Sequence, residues 1–177
     1  AIGAAEAKHA GQIVFAIDYL FWHAYGAPLS DDARRALFDK GLERVGSFSC
    51  PVVVADLPDM SHSIGQMLMK SQVPSAALLD ELNGKLDAWA KDKPNVVVIH
   101  LRETVKNAMA SGSVTLGGRT FEGPDARALL VANGLHATAD GLIAITLECL
   151  DELNAKRLLP PGATWDHDAG AIKRRLT

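Results

Sequence analysis

Three stretches of the chain have an uninterrupted apolar centre: "QIVFAID" (12–18), "PVVVAD" (51–56) and "NVVVIHL" (95–101). Between them the apolar residues recur at helical spacing. Short β-branched runs of this kind predict strands buried on both faces, and the intervening period predicts helices. Ser30, Asp31 and Asp32 supply an N-cap and an acidic first turn for one helix, along which Leu37, Leu42 and Val45 form an apolar stripe. A second is predicted from Ser75 to Lys91, with Leu78, Leu82, Leu86 and Trp89 on one face.

The flanks follow the same logic. Ala-rich "AIGAAEAKHAG" (1–11) predicts a helix closed by Gly11. After the third strand come a short helix in "RETVKNAMA" (102–110), a hairpin "VTLGGRTF" (114–121) turning on Gly117 and Gly118, and a short helix in "PDARALLVA" (124–132). A last helix is predicted from Thr138 to about Leu158, with the stripe Leu142, Ile145, Cys149 and Leu153. The tail "PPGATWDHDAGAIKRRLT" (160–177) is broken by proline and glycine and predicts irregular structure.

Strands alternating with helices imply right-handed crossovers and a parallel sheet covered by helices on both sides, the α/β class. Ligands on such sheets bind beyond the carboxyl ends of the strands, so chemistry belongs on the loops after Ile17, Ala55 and Ile99. With 177 residues, of which 48% are hydrophobic, a single domain over 1–177 is expected, with a core of 1–158 and a tail of 159–177.

Charge and cysteine content narrow the partners. The formal net charge is −3, and lysine and arginine are scattered, so no basic face is offered to a nucleic-acid backbone. No apolar run approaches the roughly 20 residues that span a bilayer. Cys50 and Cys149 are too far apart for a CxxC site, which leaves two buried thiols or one disulfide open. The chain starts at Ala1 with no initiator methionine, so it is expected to be processed or part of a longer one.

Candidate chemistry concentrates in a few places. "DYLFWHAYG" (18–26), read as a loop, puts the Asp18 carboxylate at the end of the first strand with aromatics behind it. Phe21, Trp22 and Tyr25 either pack the top of the sheet or wall a pocket with Asp18 as its polar anchor. In "ADLPDMSHS" (55–63) serine, histidine and aspartate are neighbours in sequence, which does not make a triad, and solvated loop polarity is the expectation. "WDHDAG" (165–170) lacks a second set of ligands at metal-binding spacing and reads as an acidic tail, so no metal is expected. Glycine-rich nucleotide fingerprints and the GxSxG nucleophile elbow are absent from the sequence. His136, ahead of the last helix with Asn133 three residues earlier, is the histidine whose context is that of a proton shuttle.

"NGLHATADGLIAIT" (133–146) resembles the Asp-x-x-His block of the SGNH, or GDSL-type, hydrolases. "PVVVADLPDM" followed by "LLDELNGKLDAWAKDKPNVVVIHL" is similar to that family's later strand, Leu-Pro turn, Asn-containing helix and next strand, and "IVFAIDYLFW" resembles the strand that ends in Gly-x-Asn-Asp. The resemblance implies a flavodoxin-like three-layer α/β/α hydrolase fold with a parallel sheet, incomplete at its N-terminus, acting on a small-molecule ester without metal or organic cofactor. It implies His136 as general base, Asn133 in the place of the orienting aspartate, and Asp18, Phe21, Trp22 and Tyr25 lining the acyl site. No Gly-Asp-Ser block occurs in the chain, and Ala16, Ile17, Asp18 and Tyr19 stand where the oxyanion glycine and asparagine would be. A serine nucleophile is therefore expected upstream of this chain; the alternative is a catalytically inactive binding or assembly module on the same scaffold. The first strand's outer edge is expected to be covered either by that upstream segment or by a second copy in a homodimer.

Overall fold

The computed structural model describes residues 12–176, so the helix predicted for 1–11 lies outside the described residues. The fold is mixed α/β: a three-stranded parallel sheet flanked by helices, plus a small antiparallel hairpin. The chain divides into two compact units, residues 1–101 and 102–177.

In the first unit the order is β1 (Val14–Ala16), α1 (Tyr19–Tyr25), α2 (Asp31–Gly46), β2 (Val52–Ala55), α3 (Ala76–Lys91) and β3 (Val96–Ile99). The sheet order is β1-β2-β3, all parallel, with Val14 opposite Val52 and Ala55 opposite Ile99. β2 is buried along its whole length, as its run of valines predicts. β1 departs from its prediction. It pairs with β2 alone among the described residues, and Phe15 is 50% exposed, so the strand is not buried on both faces. An apolar run shows that a segment is a strand; how much of it is covered depends on its neighbours in the sheet.

The helix starts follow the sequence. Ser30 Oγ accepts from Ala33 N at 3.3 Å and Ser75 Oγ from Leu78 N at 3.2 Å, each taking one amide that the first helical turn leaves without a partner. α2 buries Phe38, Leu42 and Val45, with Leu37 half-buried; α3 buries Leu78, Leu79, Leu82 and Leu86, with Trp89 half-buried.

The segment between β2 and α3, which carries short turns at Ser61–Ser63 and Lys70–Gln72, is held by buried polar groups. Asn83, on α3, accepts from Leu57 N at 2.7 Å and donates to Leu57 O at 2.9 Å. The Tyr25 hydroxyl donates to Pro58 O at 2.7 Å and accepts from Met60 N at 3.3 Å. Arg34, 4% exposed, donates through Nε to Ala24 O at 2.9 Å and through Nη2 to Ser71 O at 2.7 Å. Gln72 Nε2 donates to Tyr25 O at 3.2 Å. Each replaces water that a buried backbone group has lost.

The second unit contains α4 (Leu101–Met109, which starts at the junction), β4 (Ser113–Leu116), β5 (Arg119–Glu122), α5 (Pro124–Arg127), α6 (Ala139–Ala155) and α7 (Ala169–Leu176). β4 and β5 form the predicted hairpin, turning through Gly117 (φ 58°) and Gly118 (φ 69°), positive values that suit a two-residue turn. Ala108, Val114, Leu116, Phe121, Ala126, Leu129 and Ala144 pack as its core.

α6 is rotated from its predicted stripe. Leu142 is 58% exposed and Ile145 half-buried, while Ile143, Ala144, Leu147, Cys149 and Leu153 are buried. The face is set by glycines: a Cβ on Gly141 would collide with Leu129 O, and one on Gly117 would lie 2.7 Å from both Ala144 O and Leu147 Cβ. These close approaches fix residues 141 and 144 inward, which turns Leu142 out.

Cys50 and Cys149 are both free thiols, and burial, with Glu148 nearby, pushes the Cys149 thiol up to about 12. The tail is less irregular than its composition predicts. Asp168 Oδ1 accepts from Ala171 N at 2.9 Å at the start of α7, and that bond holds its carboxyl below the usual range. Trp165 Nε1 donates to Asp151 Oδ1 at 3.1 Å, and His167 Nε2 lies 2.9 Å from the same oxygen. Among the described residues no group of three or more His, Cys, Asp or Glu side chains is placed to hold a metal ion, and no helix is long and apolar enough to cross a membrane.

Three substitutions test this packing. Asn83→Ala strands a buried amide and a buried carbonyl of Leu57 and is expected to cost about 2–4 kcal/mol in a urea titration. Gly117→Ala adds both a left-handed residue and a steric collision, and is expected to cost about 3 kcal/mol against about 1 for Gly118→Ala, whose Cβ would meet only Asp151 Oδ2, 4.0 Å away. Equal losses at the two glycines would refute the close approach.

Candidate functional site

The carboxyl rim of the sheet in the first unit gathers one polar residue after each strand. Asp18 follows β1, and the segment after it is the helix α1 rather than the predicted loop. Its aromatics divide by role. Tyr25 is fully buried, stacked on Phe21 at 4.3 Å with an interplanar angle of 9°, and its hydroxyl is committed to Pro58 and Met60. Burial pushes its phenol well above the ordinary range. Phe21 is half-buried. Trp22 is 48% exposed and its indole N–H points to Asp18 Oδ2 at 3.4 Å. Within this unit the accessible polar anchor and aromatic surface are therefore Asp18 and Trp22, with Phe21 behind.

After β2 and β3 come Asp56 and His100. The register that sets Ala55 opposite Ile99 brings the next residue of each strand together, and His100 Nδ1 lies 3.3 Å from Asp56 Oδ2. The Asp56 side chain is 9% exposed and the His100 side chain 71%. The carboxylate oxygen is placed to accept from an Nδ1–H of the ring. This pair did not stand out in the sequence. Its signal was positional, since each residue is the first beyond the last paired residue of adjacent parallel strands.

Of the residues in "ADLPDMSHS", Asp59 Oδ1 accepts from Ser61 N at 2.8 Å, a turn within the loop, and Ser63 is buried.

In the second unit, the segment from Leu130 to Ala137 doubles back on itself. Val131 N donates to His136 O at 2.8 Å, Gly134 N to Val131 O at 2.8 Å, and Thr138 N to Leu129 O at 2.9 Å. Asn133 organises the turn: its Oδ1 accepts from Leu135 N at 2.9 Å and His136 N at 3.2 Å, and its Nδ2 lies 3.0 Å from His136 Nδ1. The structure thus brings His136 and Asn133 together, with the imidazole exposed immediately ahead of α6. Thr138 anchors the loop to the helix. Its hydroxyl accepts from Gly141 N at 3.3 Å as N-cap and donates to Ala128 O at 2.9 Å.

No family profile, curated protein or solved structure matches the chain.

Thr138→Ala removes both the cap and the tie to Ala128 and is expected to cost about 1–2 kcal/mol, which Thr138→Ser recovers in large part. A loss equal in both variants, read by thermal melts, would show that methyl packing and not the hydroxyl holds the loop.

Proposed function

We propose that this chain is the base-bearing part of an ester hydrolase of the SGNH type, built on a flavodoxin-like α/β/α scaffold. The observation that carries the reading is the exposed His136 imidazole, held through Nδ1 by the side chain three residues before it and placed directly ahead of a capped helix. The Asn83 clamp supports it, because it links the Leu57-Pro58 turn to the Asn-containing helix, two of the segments on which the resemblance rests.

In this reading a serine, which the resemblance places ahead of β1, attacks the acyl carbon of an ester. His136 takes its proton and delivers it to the departing alkoxide; water then cleaves the acyl-serine by the same route. Asn133 fixes the ring. A second reading, a binding module on the same scaffold without turnover, is favoured by Asn133 itself, since an uncharged amide cannot offset an imidazolium as an aspartate would.

The sequence without a Gly-Asp-Ser block is expected to hydrolyse p-nitrophenyl acetate and butyrate little faster than buffer, and below about 1 s⁻¹. The full-length natural protein is expected to turn them over, to be stopped by a serine-directed organophosphonate, and to lose about 10²–10⁴ in rate with His136→Gln. Turnover that survives the phosphonate or the His136 change would overturn this mechanism, and no turnover in the full-length protein would leave the binding module.

A further inference from the structure

The amide of Asn133 decides which nitrogen of His136 carries the proton. The Asn133 atom facing Leu135 N and His136 N, at 2.9 and 3.2 Å, stands between two N–H donors, so it must be the carbonyl oxygen. Turning the amide over would set its NH₂ against both. Nδ2 therefore faces His136 Nδ1, 3.0 Å away. An amide nitrogen donates and does not accept, so Nδ1 accepts and the ring proton sits on Nε2.

The geometry points to Asn133 as a positioning residue that locks neutral His136 as the Nε2–H tautomer. In this resting state its second nitrogen is a hydrogen-bond donor, suited to a carbonyl or carboxylate oxygen, and it serves as a base only after that proton has left. His100 is held the opposite way, by a carboxylate at its Nδ1. The consequence for catalysis rests on the ester-hydrolase reading: a base that receives a serine proton at Nε2 must first surrender the proton already there. In serine proteases the aspartate-to-asparagine change beside the histidine costs about 10⁴ in turnover through the same wrong tautomer. Asn133→Asp would reverse the lock while keeping the turn. One carboxylate oxygen still accepts from Leu135 N and His136 N, and the other accepts from Nδ1–H.

The test is long-range ¹H–¹⁵N correlation of the histidine rings in ¹⁵N-labelled protein, recorded at a pH raised until each ring shows one protonated and one bare nitrogen. Wild type is expected to show His136 with a bare Nδ1 and a protonated Nε2, and His100 with the reverse. Asn133→Asp should move the His136 proton to Nδ1, and Asn133→Ala should admit both tautomers, with His100 unchanged throughout. A protonated Nδ1 on His136 in wild type, or an alanine variant that still excludes Nδ1–H, would overturn the assignment. Activity separates this from the underlying reading. In the full-length protein Asn133→Asp should raise ester turnover, by as much as about 10⁴. A tautomer that switches in a full-length protein that turns over no ester in either form keeps the lock and rejects the hydrolase reading, while a gain in rate without a switch rejects the lock.

Discussion

A backbone that leaves the middle of a parallel sheet while still buried must find partners for its amides and carbonyls, and in the first unit that demand falls on Leu57 and Pro58. Beyond Ala55 the ladder ends, yet Leu57 is 1% exposed. One primary amide meets the need at Leu57, because Asn83 offers a donor and an acceptor side by side, the same pairing a neighbouring strand would provide. The Tyr25 hydroxyl does the equivalent for Pro58 and Met60. Arg34 then ties α1 to the segment at Ser71, so that α1, α2 and the chain between β2 and α3 share one network. Asp56 is held in place between the end of β2 and this clamped turn, which gives its contact with His100 a defined position.

What the sequence makes legible is the part governed by local rules. The valine runs at β2 and β3, the serine cap at Ser30, the helix starts near Ser75 and Thr138 and the two-glycine turn each depend on neighbours within a few residues, and each forms as expected. The Asn133–His136 contact belongs to the same group, being a contact across three residues.

Other features depend on what lies across space. α1 is dense in aromatic residues with modest helix propensity, and its helix is sustained by burial of Leu20, Ala24 and Tyr25. Whether Leu142 or Ile143 faces inward is decided by the contact of Gly141 with Leu129 O, which no periodicity contains. The openness of Phe15 and the meeting of Asp56 with His100 follow from sheet order and register, long-range properties of the chain.

The turn around Asn133 also bears on the chemical lifetime of that residue. Asn133 precedes Gly134, and the backbone nitrogen of a following glycine, unhindered by a side chain, can attack an asparagine side-chain carbonyl and expel ammonia to form a cyclic imide, which water then opens to an aspartate or its isomer. Here the Gly134 N–H is engaged with Val131 O at 2.8 Å, and the Asn133 Oδ1 is held by two backbone amides. Both reactants are restrained, and attack requires the loop to open first. The turn therefore acts as a preservative: slow ageing at this position would add a negative charge beside His136, and the folded loop delays it.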